Sequence, residues 1–173
     1  MNLMITGACG HIGSYIAYHF AKKKNVKKIY LIDNFTSSKI NSLFNFKNKK
    51  FIFRRIDVSK NKSLNSIKNI YALIHCASLT NAEDSFKIKN LMYKNNLDCM
   101  RNVINYCTNK KVNLIHLSST SVYGSLDDVV YEDNSKFINP QSPYAKIKII
   151  EEKMLKRNTK NLKFVTLRLG TIA

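Results

Sequence analysis

The stretch NLMITGACGHIGSYIAYHF, residues 2–20, decides how this chain folds. It opens on a short apolar run, NLMIT (2–6), bends through TGACGHIG (6–13), and continues as a helical pattern from about Ile12 to Lys24. Three of the chain's five glycines, Gly7, Gly10 and Gly13, fall in the bend. Glycine accepts the backbone of a tight turn, lets the main chain approach a bound group, and allows a helix to sit close on a strand. A helix that starts straight after such a turn points its unsatisfied N–H groups outward, where they favour an anion such as a pyrophosphate. The spacing is GxxGxxG, a variant of GxGxxG, and its weight comes from lying between a first strand and a first helix.

Outward from this stretch, apolar runs alternate with helical patterns. KIYLID (28–33), KFIFRRID (50–57), YALIHCA (71–77), NLIHLSS (113–119) and LKFVTLRL (162–169) read as further strands. A long helical region spans about 85–108, and another helix holds Tyr144. Near-continuous apolar strands separated by helices predict a parallel sheet covered on both faces, an α/β fold with Rossmann-like doubly wound topology. No repeat or linker interrupts it, and 173 residues suit one domain with a real core, 1–173. Such a sheet places chemistry beyond the carboxyl ends of its strands. There lie the glycine bend, Asp33, Asp57, His75-Cys76-Ala77-Ser78 and Ser118-Ser119.

Composition narrows the partners. No apolar run reaches membrane-spanning length, and the start lacks a basic secretory n-region, so a soluble cytoplasmic protein is expected, with no membrane partner. The net charge of +18 raises the question of nucleic acid, but the excess is mostly lysine spread along the chain. Arginine, which supplies forked contacts to guanine and phosphate, is scarce. A solvated basic surface is expected, able to steer an anionic small substrate, and no nucleic acid. Cys9, Cys76, Cys99 and Cys107 show no CxxC spacing and read as free thiols, Cys99 and Cys107 as core packing. No metal site is expected.

Asp33 lies twenty residues beyond Gly13, at the end of the second strand. A carboxylate there accepts hydrogen bonds from adenosine ribose hydroxyls and repels a 2′-phosphate, which favours NAD over NADP. It also suits a turn or helix cap, since DNFTSSK (33–39) is turn-rich. Asp57 meets the adenine amino group or caps the next helix, and the two readings stand level. His11, His19, His75 and His116 have no evident acidic partner, so packing or local hydrogen bonding is expected for all four. SPYAKIKIIEE (142–152) puts Tyr144 and Lys148 four apart, on one face of a helix.

Taken in order, TGACGHIG, Asp33, HCAS (75–78), SSTSVYG (118–124) and SPYAKIK (142–148) resemble the extended short-chain dehydrogenases/reductases. The resemblance is to the NAD-dependent epimerase/dehydratase group, which acts on nucleotide sugars, and it covers residues 2 to about 170. It implies that Tyr144 is the general acid/base exchanging a proton with a sugar hydroxyl. Lys148, with the positive nicotinamide ring, would favour the phenolate of a group whose free pKa is roughly 10. Ser119 would orient the substrate, with Ser118 beside it. Cofactor contacts are implied for Gly7, Gly10, His11, Ile12, Gly13, Asp33, Asn34, Asp57, Val58, Cys76 and Ala77, and for Tyr144 and Lys148. Asn96, with Asn95 next to it, resembles the asparagine that supports the lysine through water.

By the same resemblance the activity is that of an NAD-dependent nucleotide-sugar epimerase working through a transient keto-sugar, in surface polysaccharide precursor metabolism. The substrate partner is a nucleotide sugar and a homodimer is implied. The alternatives are a nucleotide-sugar reductase or dehydrogenase with net NAD(P)(H) turnover, and a dinucleotide-binding fragment without catalysis. Two departures bear on this. Thr120 and Ser121 stand where dehydratases of the group carry an acidic pair, and Thr171 stands where many relatives carry a substrate-binding asparagine. Arg168 is kept. Relatives continue into a smaller substrate-binding portion, most of which this chain lacks, so it is expected to be a fragment of a longer product or to be completed by another polypeptide.

Overall fold

The computed structural model describes residues 1–36, 48–80, 86–124, 131 and 135–170. Six strands form one sheet: β1 (Asn2–Thr6), β2 (Lys28–Asp33), β3 (Phe51–Arg55), β4 (Ala72–His75), β5 (Asn113–Ser119) and β6 (Phe164–Leu169). Every pairing is parallel, and the order is β3-β2-β1-β4-β5-β6. This is the doubly wound arrangement expected from the apolar runs. The chain reverses its direction of winding between β1 and β4, which opens a crevice at their carboxyl ends.

Among the described residues three α-helices cover the sheet: α1 (His11–Ala21), α2 (Lys89–Lys110) and α3 (Pro143–Lys156). Side chains alternate across a strand, so β1 feeds two cores. Leu3 and Ile5 pack with Ala17 and Ala21 of α1, together with Ile29, Leu31 and Ile74. Met4 faces the other way, into a cluster with Cys99, Met100, Val103 and Cys107 of α2 and Leu155 of α3. Cys99 and Cys107 are thus core thiols, as their spacing suggested. The residues that α1 buries toward the sheet, Gly13, Ala17 and Ala21, are all small.

Some expected boundaries shift. The first helix stops at Ala21, well before Lys24, and the third strand ends at Arg55. Beyond Asp57 the chain makes successive turns, with Lys60 N–H bonded to the Asp57 carbonyl and Ser63 N–H to that of Lys60, in place of a helix. Thus Asp57 has no helix to cap. Its Oδ1 instead accepts from the N–H and hydroxyl of Ser59, closing the first of these turns.

On the face of Met4, register aligns four polar residues across the sheet. Thr6 stands beside His75, His75 beside His116, and His116 beside Thr166. All of them but Thr166 are buried. Among the described residues no helix is long and apolar enough to cross a membrane.

Candidate active site

The crevice begins at the glycine turn. Gly7 has φ of 65°, and a Cβ there would lie 2.7 Å from the backbone N of Ala77 and the carbonyl carbon of Cys76. A Cβ on Gly13 would enter the carbonyl oxygen of Gly7. The turn is closed by Gly10 N–H donating to Gly7 O at 3.0 Å, and Ser14 N–H donates to Gly10 O at 2.9 Å. The N-terminus of α1 has neither a side-chain cap nor an acidic residue in its first turn. Its positive dipole end is therefore left to an anion. A pyrophosphate fits this cradle, because backbone atoms line it where side chains would fill it.

Asp33 ties the turn down from β2. Its Oδ2 accepts from Cys9 N–H and its Oδ1 from Phe35 N–H, both at 3.0 Å. These bonds make it a turn residue, and a carboxylate still has lone pairs for a ribose hydroxyl. Burial, with the Asp33 carboxylate adding to it, pushes the Cys9 thiol up to about 12. Asn34 Oδ1 accepts from the N–H and hydroxyl of Thr36. Val58 is buried, and its carbonyl accepts from Asn102.

Opposite the turn stands α3. Ser142 caps it, its Oγ accepting from Ala145 N–H at 3.1 Å, and Pro143 occupies the first turn, where no N–H is missed. This start places Tyr144 at the crevice and Lys148 one turn below, with Nζ 5.5 Å from the centre of the tyrosine ring. At the end of β5, alternation separates the two serines. Ser118 Oγ donates to Glu152 Oε1 at 2.6 Å, whereas Ser119 Oγ accepts a local bond from Ser121 N–H. A cavity of roughly 480 Å³ joins these parts, lined by His11 and Ile12 from the turn, Cys76 from the end of β4, and Ser119, Tyr144 and Lys148.

Behind the cavity lie residues that sequence reasoning missed. Glu151, only 1% exposed, accepts from Lys148 Nζ at 2.9 Å and from His116 Nε2 at 3.0 Å, both at the same oxygen. Neighbouring Glu152 takes a forked pair of bonds from Arg168, at 3.0 and 2.7 Å, and the remaining Arg168 nitrogen reaches the Tyr123 hydroxyl at 2.7 Å. His116 therefore does have an acidic partner, contrary to expectation, supplied by α3 from 35 residues away. A signal existed: Glu151 and Glu152 fall on the same buried stripe of α3 as Ile147, Lys148 and Leu155.

Charge on this wall follows from burial and pairing. Burial opposes ionisation of Glu151, but Lys148 and His116 hold its carboxyl down at about 2. Burial pulls Lys148 down, but the Glu151 carboxylate, with Tyr144 adding to it, raises it above the ordinary lysine value. Burial lowers His116 despite Glu151, and lowers His75 to about 3. A neutral His116 facing a carboxylate carries its proton on Nε2, leaving Nδ1 to accept from Thr166 Oγ1 at 3.4 Å. Thr6 Oγ1 accepts from Ala77 N–H and shares a hydrogen bond with His75 Nδ1 at 2.7 Å. The wall thus holds two ion pairs, Lys148–Glu151 and Arg168–Glu152, with two neutral imidazoles between strand and helix.

Asn96, fully buried on α2, spends its amide elsewhere. Its Oδ1 accepts from Leu79 N–H, and its Nδ2 donates to Ser78 Oγ and Leu79 O. It shapes the segment leaving β4, whose Ser78 also borders the cavity. Thr171 lies outside the described residues.

A dinucleotide-type crevice facing a tyrosine–lysine wall defines a class of nucleotide-cofactor enzymes. The chain belongs to the NAD dependent epimerase/dehydratase family, whose model matches residues 3–173. It is 29% identical to a dTDP-D-glucose 4,6-dehydratase of Dictyostelium discoideum, over 93% of this chain and 41% of that protein. It is 28% identical to a UDP-glucose 4-epimerase of Schizosaccharomyces pombe, over 91% of this chain and 47% of the other. Among solved structures, the UDP-glucuronic acid 4-epimerase of Bacillus cereus in complex with UDP-glucuronic acid and NAD superposes with a TM-score of 0.86. There the identity is 28%, with 97% of this chain and 56% of that chain covered. The chain spans about half the length of the curated relatives it matches.

Proposed function

We propose that residues 1–173 form the NAD-binding domain of a nucleotide-sugar epimerase, acting in the cytoplasm on precursors of surface polysaccharide. The observation that carries this reading is the cavity of roughly 480 Å³ that brings His11 and Ile12 of the glycine turn together with Ser119, Tyr144 and Lys148. The turn and the N-terminus of α1 hold a pyrophosphate, Asp33 takes the adenosine ribose, and Asn34, Asp57 and Val58 border the adenine end. Cys76, Ala77 and Asn96 shape the middle of the crevice. Tyr144 and Lys148 hold the nicotinamide ribose. When bound, the cofactor supplies an acceptor and later a donor of hydride.

The chain's own residues manage the proton. The Tyr144 phenolate removes the proton of a sugar hydroxyl as the carbon beneath it is oxidised to a ketone, and returns it after the sugar has turned over. Lys148 stabilises the phenolate by charge, and Ser119 orients the hydroxyl by hydrogen bonding. An epimerase is favoured over a dehydratase because elimination of water needs further acid/base groups. Thr120 and Ser121 follow Ser119, and no described residue lining the cavity is acidic. The relatives' own substrates, UDP- and dTDP-sugars, support a nucleotide sugar as the substrate.

Calorimetry with NAD and NADP tests the cofactor. NAD binds more tightly, and Asp33→Ala weakens NAD far more than NADP; unchanged discrimination removes Asp33 from the reading. Turnover is tested with UDP-, GDP-, CDP- and dTDP-hexoses, resolving product isomers. An epimerase shows no net change at the nicotinamide absorbance, whereas stoichiometric NADH formation marks a dehydrogenase. Tyr144→Phe abolishes turnover and leaves cofactor binding nearly intact. A homodimer through α2 and α3 is expected, with Leu91 of α2 59% exposed on that side of the sheet. Sedimentation as a monomer alone removes it.

A further inference from the structure

Lys148 lines the cavity while Glu151, the acceptor of its ammonium, does not. The two sit three residues apart on α3, so the bond runs along the helix and fixes the lysine from behind. Both are almost wholly buried, at 4% and 1% exposure. An ammonium in such a place loses its hydration and is retained only with a partner of opposite charge.

Among the described residues the neighbourhood offers no substitute for that partner. The groups facing Glu151 are Lys148 on α3 and His116 on β5, with His75 on β4 and Cys99 on α2 close enough to act by charge. Tyr144 and Cys76 act on Lys148 from the cavity side. The adjacent carboxylate, Glu152, is committed to Arg168 and Ser118. His116 is buried, neutral and donates to the same Glu151 oxygen, so it steadies the carboxylate without cancelling its charge.

We propose that Glu151 is a positioning residue that keeps Lys148 charged and holds its ammonium at the cavity wall, with His116 locking the carboxylate in place from β5. This rests on the reading of Lys148 as a cofactor- and phenolate-facing residue, and it names the group on which that lysine depends. Lys148 donates one N–H backward to Glu151, which leaves donors for the cavity. Without the carboxylate, burial acts on Lys148 against only the weaker pull of Tyr144 and Cys76, and the amine becomes neutral at a lower pH.

The test is competitive amine labelling of the whole chain with formaldehyde and cyanoborohydride across pH 6–11, read for Lys148 by peptide mass spectrometry. In the wild type Lys148 labels only above the pH at which exposed lysines label. In Glu151→Gln, whose amide oxygen can still accept from Lys148, the labelling midpoint falls by about two pH units or more. Glu151→Asp, which keeps the charge, restores a high midpoint. Equal midpoints in wild type and Glu151→Gln overturn the proposal. So does a wild-type Lys148 that labels below the exposed lysines, a result that needs no variant to fold. NAD calorimetry on the same proteins adds the consequence for the site. From pH 6 to pH 9, Glu151→Gln loses about tenfold more affinity than the wild type. A shifted midpoint with no NAD binding by either protein leaves the role of Glu151 standing and removes the cofactor reading instead.

Discussion

The two walls of the crevice are built by different means. The glycine turn is made of backbone: Gly7, Gly10 and Gly13 leave space, main-chain bonds close the bend, and Asp33 clamps it through the N–H of Cys9. The wall opposite is made of side chains. Glu151 and Glu152 reach from α3 to His116 and Ser118, which lie 35 and 34 residues earlier, and Arg168 comes in from β6. A backbone site tolerates almost no added atom but carries no buried charge. A side-chain wall tolerates change in shape but not the loss of one partner from a pair.

The sharpest way to break this comparison is Arg168→Met. It leaves Glu152 buried and unpaired, and unfolding by denaturant should show a loss of about 3–5 kcal/mol. Glu152→Met together with Arg168→Met should recover most of it, because a buried pair replaced by apolar groups of similar size is often close to neutral. If the double variant is no better than the single one, the wall is not organised in pairs.

Acid should strike the same wall. The folded protein holds His75 neutral down to about pH 3 through burial, and His116 is shifted in the same direction. The unfolded chain protonates both near roughly pH 6.5, so their contribution is whole above that pH and falls as pH drops toward the folded value. Glu151, held down at about 2, contributes above roughly pH 4.3 and is lost below it, in the same sense. Stability should therefore decline from about pH 6.5 downward, at about 1.4 kcal/mol per pH unit for each group titrating. Replacing His75 by Gln should flatten the upper part of that slope in urea melts taken at successive pH values.

On the backbone side, Gly7→Ala should cost about 1–3 kcal/mol and abolish NAD binding, since the added carbon meets main-chain atoms of Cys76 and Ala77. No second side-chain substitution should rescue it, in contrast to the Arg168 pair. The smallest effect is expected at Asn34→Ala, which removes an exposed turn bond to Thr36 and should change stability by less than about 0.5 kcal/mol. Thermal melts with and without NAD separate the two.

The same division explains what could be read early. Tyr144 and Lys148 were legible because four residues on a helix is a local distance. Ser118 and Ser119 were legible as a pair and both line the cavity, but which of them bonds Glu152 depends on the face of β5 each side chain takes. Glu151 and Glu152 fall on the buried stripe of α3, but their partners His116 and Arg168 lie on β5 and β6, and only packing brings these together. For Asp57 the sequence offers adenine contact and helix cap equally; the segment beyond it forms turns, so there is no helix to cap, and its Oδ1 closes a local turn with Ser59. Asn96 lies on α2 with its amide turned to Ser78 and Leu79, a contact that joins residues 17 and 18 positions apart.

By itself, then, the order of residues determined the alternation of strand and helix, the glycine turn and the tyrosine–lysine spacing, because each is written in periodicity or in neighbours a few positions apart. Which carboxylate meets which base, and which histidines stay neutral, was decided only when β4, β5, β6 and α3 came together. Those interactions draw their strength from burial, and burial is a property of the packed molecule.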